Sequence, residues 1–337
     1  MNAGRRIQSG LLTVLCLGLA SLGAAQDPAT PSRMVIRPEL FQPLTEPPCS
    51  YCSSQHLKNL IRRDDRVIAW VRGAHNGGAI PLRHFLSGPR VINDTYGLFF
   101  YDPDGGYVAA YEKDYGYSFH GWKNGVMMVK GKDGSVWSAL SGECFDGPQA
   151  GKRLNRVPSI TTTWEYWLML HPESTAYDLF GGDKYHVTPL PTKLSNEASE
   201  TMGGVDARLK PMSNVLGVEV GDQRKAFPID SLKERACFND SVGDQDVAVF
   251  WYKATNTAAA YSRTLDGQKL TFYADKISPE TAPIKDKETG TRWTLAGRGI
   301  DGPLRGKELQ WVTSLQCRWY AWVTENPETS IYESPTK

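Results

Sequence analysis

One stretch of this chain occurs twice, and that repeat limits the folds open to it more than any other feature. Gly142, Asp146, Gly147, Pro148, Gly151, Lys152 and Leu154 lead to Ser159, Trp164, Trp167, Pro172 and Glu173. Gly297, Asp301, Gly302, Pro303, Gly306, Lys307 and Leu309 lead in the same way to Ser314, Trp319, Trp322, Pro327 and Glu328. The offset is constant (297 − 142 = 155; 328 − 173 = 155), and 14 of the 37 positions in 142–178 match 297–333 without a gap. Chance at average residue usage gives about two or three. The expectation is a unit used twice in tandem. The repeat sets an architecture and names no reaction.

The chain opens with Arg5 and Arg6, a short apolar run from Leu11 to Ala20, and small residues at Gly23, Ala24 and Ala25. That order reads as a secretory signal peptide over 1–25, cleaved near Ala25. The run is short for a membrane span, and Leu15 before Cys16 is a poor lipoprotein signal. The expected location is periplasmic or secreted. Cleavage leaves 312 residues (337 − 25) with a net charge of −1 (36 − 37, Arg5 and Arg6 leaving with the leader). A near-neutral chain gives no electrostatic case for nucleic acid, and no later run predicts a transmembrane segment. Five cysteines remain, Cys49, Cys52, Cys144, Cys237 and Cys317, so at least one is left outside any intramolecular pair.

Residues 26–54 read as a Pro-rich arm, extended along the surface or disordered, ending in the Cys49-x-x-Cys52 pair. Residues 55–188 form the first repeat and 213–333 the second, with a polar, exposed linker at 189–212. A short helix follows the cysteine pair on Leu57, Leu60 and Ile61. Within the first repeat the pattern predicts strands at 67–71, 98–101 and 107–113, and a hairpin across 126–139. Asp102-Pro-Asp104-Gly105-Gly106 is a turn, and a closing helix capped by Ser159 puts Trp164, Trp167 and Leu168 on one face. The second repeat keeps this order, and 277–288 reads as an added surface loop. The fold class is α+β, a strand-rich unit with short helices, duplicated in tandem.

Asp65-Arg66-Val67-Ile68, Ala79-Ile80-Pro81-Leu82, Ile92-Asn93-Asp94, the stretch from Trp137 to Gly142, the Gly147 box and His171-Pro172-Glu173 occur in a specific order. In that order the chain resembles the bacterial family catalogued as domain of unknown function 3179, over most of 60–333. The resemblance implies no activity. It does imply a Cys-Pro-x-Cys box at the hairpin after Asn-Asp and a His shortly before. Here Asp102 and Gly105 stand at the cysteine positions, Tyr252 and Thr255 in the second copy, and Pro89 and Arg235 near the His position.

Cys49, Cys52 and His56 form the sharpest candidate constellation. A thiolate at a helix N-terminus is stabilised by the dipole, which suits redox exchange. Two thiolates and an imidazole also supply three ligands to Zn or Cu. Against these stands a static disulfide, within Cys49 and Cys52 or to other cysteines. Asp102 and Asp104 offer oxygen ligands but lack the later positions of a calcium loop, so a hairpin turn is the plainer reading. Asn93-Asp94, repeated as Asn239-Asp240, suits a turn that binds backbone. His84 and His120 are candidates to converge. The tryptophan pairs read as core, and the Asp-Gly-Pro box lacks P-loop spacing and reads as a tight turn.

The expectation is an exported, non-catalytic binding or interaction module with a small-molecule or envelope-protein partner. The alternative is a metal-binding or thiol-redox envelope protein using Cys49, Cys52 and His56. The sequence assigns no catalytic residue and no cofactor beyond the candidate Zn or Cu.

Overall fold

The computed structural model describes residues 1, 33–47, 61–72, 76–85, 88–177, 191–204, 206–230, 232 and 234–333, with the backbone alone at 72, 76, 84, 85 and 235. Met1–Pro31 and Ser32–Lys337 are separate units, and the described fold belongs to the second. The leader, Cys49, Cys52, His56 and the short helix at 57–60 lie outside the described residues.

In the first half, β1 (Met34–Ile36) and β2 (Leu44–Thr45) precede β3 (Arg66–Arg72), β4 (Asn76–Pro81) and a 3-10 turn at Leu82–Phe85. Then come β5 (Arg90–Asp94), β6 (Gly97–Asp102), β7 (Tyr107–Tyr111), β8 (Ser118–Lys123), β9 (Val126–Lys130), β10 (Val136–Ser138) and β11 (Cys144–Asp146). β12 (Ile160–Thr163), α1 (Trp164–Leu170) and β13 (Thr175–Ala176) close it, and α2 (Asn196–Thr201) follows. The second half runs β14 (Asn214–Val220), β15 (Gln223–Pro228), β16 (Arg235–Val242), β17 (Gln245–Tyr252) and β18 (Thr257–Ser262). The small hairpin β19 (Thr264–Leu265) and β20 (Gln268–Lys269) precedes β21 (Phe272–Ala274), β22 (Ile284–Asp286) and β23 (Arg292–Trp293). β24 (Trp311–Val312), β25 (Ser314–Arg318), α3 (Trp319–Glu325) and β26 (Ser330–Ile331) end the chain's described structure. Strand outweighs helix, 44% against 8%, which places the chain as strand-rich with short helices.

One sheet has the order β12-β3-β4-β13 and another β25-β14-β15-β26, each with an antiparallel centre and a parallel last strand. These sheets are buried on both faces. Along β3, Val67 and Ala69 enter one core while Ile68 and Trp70 enter another, as period-two alternation requires. The hairpin strands β5-β6-β7 and β16-β17-β18 pack on the outer faces, through Ile92 and Phe99 in one case and Val247 and Val249 in the other.

The inner faces carry the helices, and each helix sits in the other half's core. Trp164, Tyr166 and Trp167 of α1 share a core with Phe250, Phe272 and Trp293. Trp319, Tyr320 and Trp322 of α3 share one with Phe100, Phe119 and Trp122. The hairpin tips cross over too: Arg318 N donates to Gly105 O (2.7 Å), and Thr257 Oγ1 to Thr162 Oγ1 (2.9 Å).

Several local expectations need correction. The helix cap is Thr163, not Ser159, because the β-branched run Ile160–Thr163 pairs with β3 as a strand and the helix starts after it. The segment 191–204 is not wholly exposed: Ser195 caps α2, and Ala198 and Thr201 are buried. Within 277–288, Ile277 is exposed but β22 pairs with β21 and β23, burying Ile284 and Asp286. Asn93-Asp94 lies at the end of β5 rather than in a turn. The Asn93 amide holds both backbone groups of Tyr117 (3.0 Å each), and Asn239 holds Phe272 likewise (2.8 and 2.7 Å).

The Gly box is a turn. Gly142 (φ 71°) and Gly297 (φ 78°) adopt the left-handed conformation. A Cβ at either would stand 2.6 Å from the ring of Tyr111 or Tyr261. Those tyrosines donate to Leu140 O (2.9 Å) and Leu295 O (2.8 Å).

Candidate binding cavity

The Asp102 hairpin is the start of the site. β6 and β7 are buried along their whole length, so the turn joining them brings its carboxylates into the interior. Asp102 Oδ1 accepts from Asp104 N (3.0 Å) and Gly105 N (3.1 Å), and Oδ2 from Met127 N (3.4 Å). Asp104 accepts from Ser195 N (2.7 Å) and Ser195 Oγ (2.6 Å), tying the N-terminus of α2 to the hairpin. Burial, and secondarily the charge of Asp104, pushes the Asp102 carboxyl up to about 7. Burial likewise raises Asp104, opposed by the two Ser195 hydrogen bonds. Both side chains thus act as acceptors for their own fold, in keeping with the turn reading. Among the described residues no group of three His, Cys, Asp or Glu is placed to hold a metal.

Beside this hairpin lies a cavity of about 490 Å³. Its walls come from the arm (Leu40 and Phe41), the start of β3, the 3-10 turn at Leu82, Pro89, Trp122 and the segment leading into α2. The arm is held there by strand pairing, β1 with β8 and β2 with β5. Phe41 stands edge-on to Phe119 (centroids 5.1 Å apart) and Trp122 (6.5 Å), with the Arg90 guanidinium 5.4 Å from its centroid. Gly88 lies directly under that ring: a Cβ there would meet Phe41 Cζ at 2.6 Å. Pro89 and the Asp102 hairpin, where the family resemblance placed a His and a cysteine pair, both border this space.

The charged groups of the cavity differ in how far they are satisfied. Asp65 is ion-paired to Arg83 (3.2 Å) and accepts from Arg62 N (2.7 Å). Burial is the largest influence on Asp65 and raises its carboxyl. Arg62, Asp64 and Lys193 are exposed at the mouth. Arg66 is the exception. Its Nε is sealed from solvent with no hydrogen-bond partner, and no carboxylate among the described residues pairs with it. Burial lowers its guanidinium to about 10, and the charged neighbours it feels are the Tyr101 phenol and another cation, Arg318. Tyr101 is itself raised by burial and then by Asp102.

Sequence reasoning picked out the Asp102 hairpin but missed Arg66, Arg83 and Asp65. The available signal was Asp65-Arg66 directly preceding an apolar strand: charge at the mouth of a buried sheet needs a partner. Other candidates disperse. His120 is buried, and its imidazole is lowered first by burial and then by Lys130. His171 packs on Trp167 (4.2 Å) and is lowered by burial and by Arg298. The side chain of His84 lies outside the described residues, so its convergence with His120 has no geometry to report. Asp94 receives Tyr96 N (2.9 Å) and the Tyr177 hydroxyl (3.3 Å), a local structural role. Cys144, Cys237 and Cys317 are free thiols, and burial pushes Cys237 and Cys317 up, away from the reactive thiolate.

Fold and site together define a strand-rich α+β protein with a half-open, partly charged cavity beside a buried acidic hairpin. The model of the family described as "Protein of unknown function (DUF3179)" matches residues 57–329, and the chain belongs to that family. No curated protein and no solved structure matches it. No described helix is long and apolar enough to cross a membrane.

Proposed function

We propose that this chain is an exported, non-catalytic binding protein, built from two tandem copies of one unit, that takes a small molecule in the cavity beside the Asp102 hairpin. The observation that carries it is the cavity itself. About 490 Å³ bordered by Phe41, Leu82 and Trp122, with a guanidinium whose sealed Nε has no partner and that pairs with no carboxylate among the described residues, has the make-up of a ligand site. Asp102 and Asp104 support a binding role rather than chemistry, since each carboxylate is occupied by the turn or the helix cap.

The duplication is supported by the two sheets of matching order and by the helices, which keep the repeat's offset (164 + 155 = 319; 170 + 155 = 325). Export rests on the leader pattern ending at Ala25. The second reading, metal or thiol work at Cys49, Cys52 and His56, rests on their spacing alone.

Native mass spectrometry of the mature protein, purified from its own envelope fraction, separates the two. Cavity binding predicts an organic adduct that denaturation releases and that Leu194→Trp, which fills the cavity, abolishes. A Zn or Cu adduct removed by Cys52→Ala, with no organic mass, would support the second reading and count against the first.

A further inference from the structure

We infer that the cavity's ligand is an amphipathic anion, with its acidic head on the Arg66 guanidinium and its apolar body against Phe41, Trp122 and Leu82. The inference rests on the cavity being a ligand site.

The charges that line the cavity are not all matched. Asp65 is matched by Arg83 at 3.2 Å, and Asp104 by the Ser195 hydroxyl and amide. Arg62 and Lys193 stand at the exposed mouth, where water screens them. Of the sealed cations lining the cavity, Arg66 has an Nε without an acceptor and no carboxylate partner among the described residues, whereas the equally sealed Arg83 Nε faces Asp65. A guanidinium whose Nε is sealed from water without a partner is unfavourable, and the neighbours it feels do not relieve it: Arg318 repels it and Tyr101 is held protonated by burial.

A carboxylate or a phosphate supplies what is missing, because the guanidinium fork matches either group with two parallel hydrogen bonds. A cationic ligand would find Asp65 and Asp104 already engaged, with the exposed Asp64 and the half-buried Glu197 as the remaining carboxylates of the lining. A neutral ligand would bury Arg66 further and give it no counter-charge. The aromatic and aliphatic wall then calls for an apolar body, and the volume limits the ligand to a small molecule.

Titration calorimetry of the full mature protein with octanoate, octyl phosphate, 1-octanol and octylammonium tests this with one tail and four heads. The expected result is that at least one anion binds about tenfold or more tighter than the alcohol, the loss of a charged hydrogen bond being of that order. Octylammonium should bind no better than the alcohol. Arg66→Gln should erase the preference for the anion and leave the alcohol unchanged, with Arg66→Lys between. The stronger of octanoate and octyl phosphate identifies the head as carboxylate or phosphate. Equal binding of octanol and both anions overturns the anion assignment while leaving the cavity a ligand site. Tightest binding of octylammonium does the same. Failure of all four to bind overturns both. The four wild-type titrations decide the matter even if Arg66→Gln does not fold.

Discussion

Asp102 has no exposed surface, yet it carries a carboxyl whose titration falls at about 7, against 3.8 in an unconstrained chain. The native state therefore keeps a proton that the unfolded state loses. Its contribution to stability is full below 3.8 and is lost as pH rises through about 7. Asp104 and Glu325, both raised chiefly by burial, push in the same direction. His120 and His171, lowered by burial, act in the opposite sense as pH falls, so in thermal melts the Asp102 contribution is read as the difference between wild type and variant across about pH 8 to pH 5. Asp102→Asn, a neutral side chain that keeps an acceptor for Asp104 N and Gly105 N, should melt higher than wild type at the upper pH, with the gap closing at the lower. A variant less stable than wild type at both ends would contradict the assignment. The residue scale also shows what a sequence hides. Asp102 and Asp104 were legible as turn formers, since Pro and two Gly flank them. Arg66 was not, because a charged residue before an apolar strand reads as a solvated end until packing shows its Nε sealed.

Elements were the most legible level wherever a period was strong. β6 with β7, and β9 with β10, follow from apolar runs joined by Asp-Gly turns. Boundaries were not, because the triple threonine at 161–163 satisfies a strand and a cap in turn. Partnership was least legible. Trp164 and Trp167 announce an apolar helix face, but periodicity does not say which core receives it. The exchange of α1 and α3 between halves depends on contacts far apart in sequence. Gly217 reports on how α3 seats on the sheet of its own half. It lies in β14 beneath α3, where a Cβ would meet the Trp322 ring at 2.2 Å. Gly217→Ala should cost about 1–3 kcal/mol in urea unfolding, the usual penalty for overpacking. Gly204→Ala, with nothing within 4 Å, serves as the control and should fall within about 0.5 kcal/mol of wild type. Equal effects at the two sites would refute the packing of α3 on β14.

At the scale of the whole molecule, Ser32–Lys337 is one unit rather than two beads on a linker, since the cores around α1 and α3 each draw on both halves. That arrangement gives the proposed duplication a consequence: the two halves serve different ends. In the first, the hairpin carries Asp102 and Asp104 and borders the cavity. In the second, the matching tip carries Thr255 and Thr257, which bond to each other (2.8 Å) and close onto Thr162. The binding site is thus proposed to belong to the first copy, with the second as scaffold. The repeat in the sequence marked what the two halves share, whereas the proposed site lies where they differ. Photoaffinity labelling with a diazirine-tailed octanoate, followed by peptide mapping, tests this account most directly. The account predicts crosslinks concentrated on peptides containing Phe41, Leu82 and Leu194, competed away by octanoate and lost with Arg66→Gln. Crosslinks centred on the Thr255 hairpin, or spread over the surface and indifferent to Arg66, would contradict it.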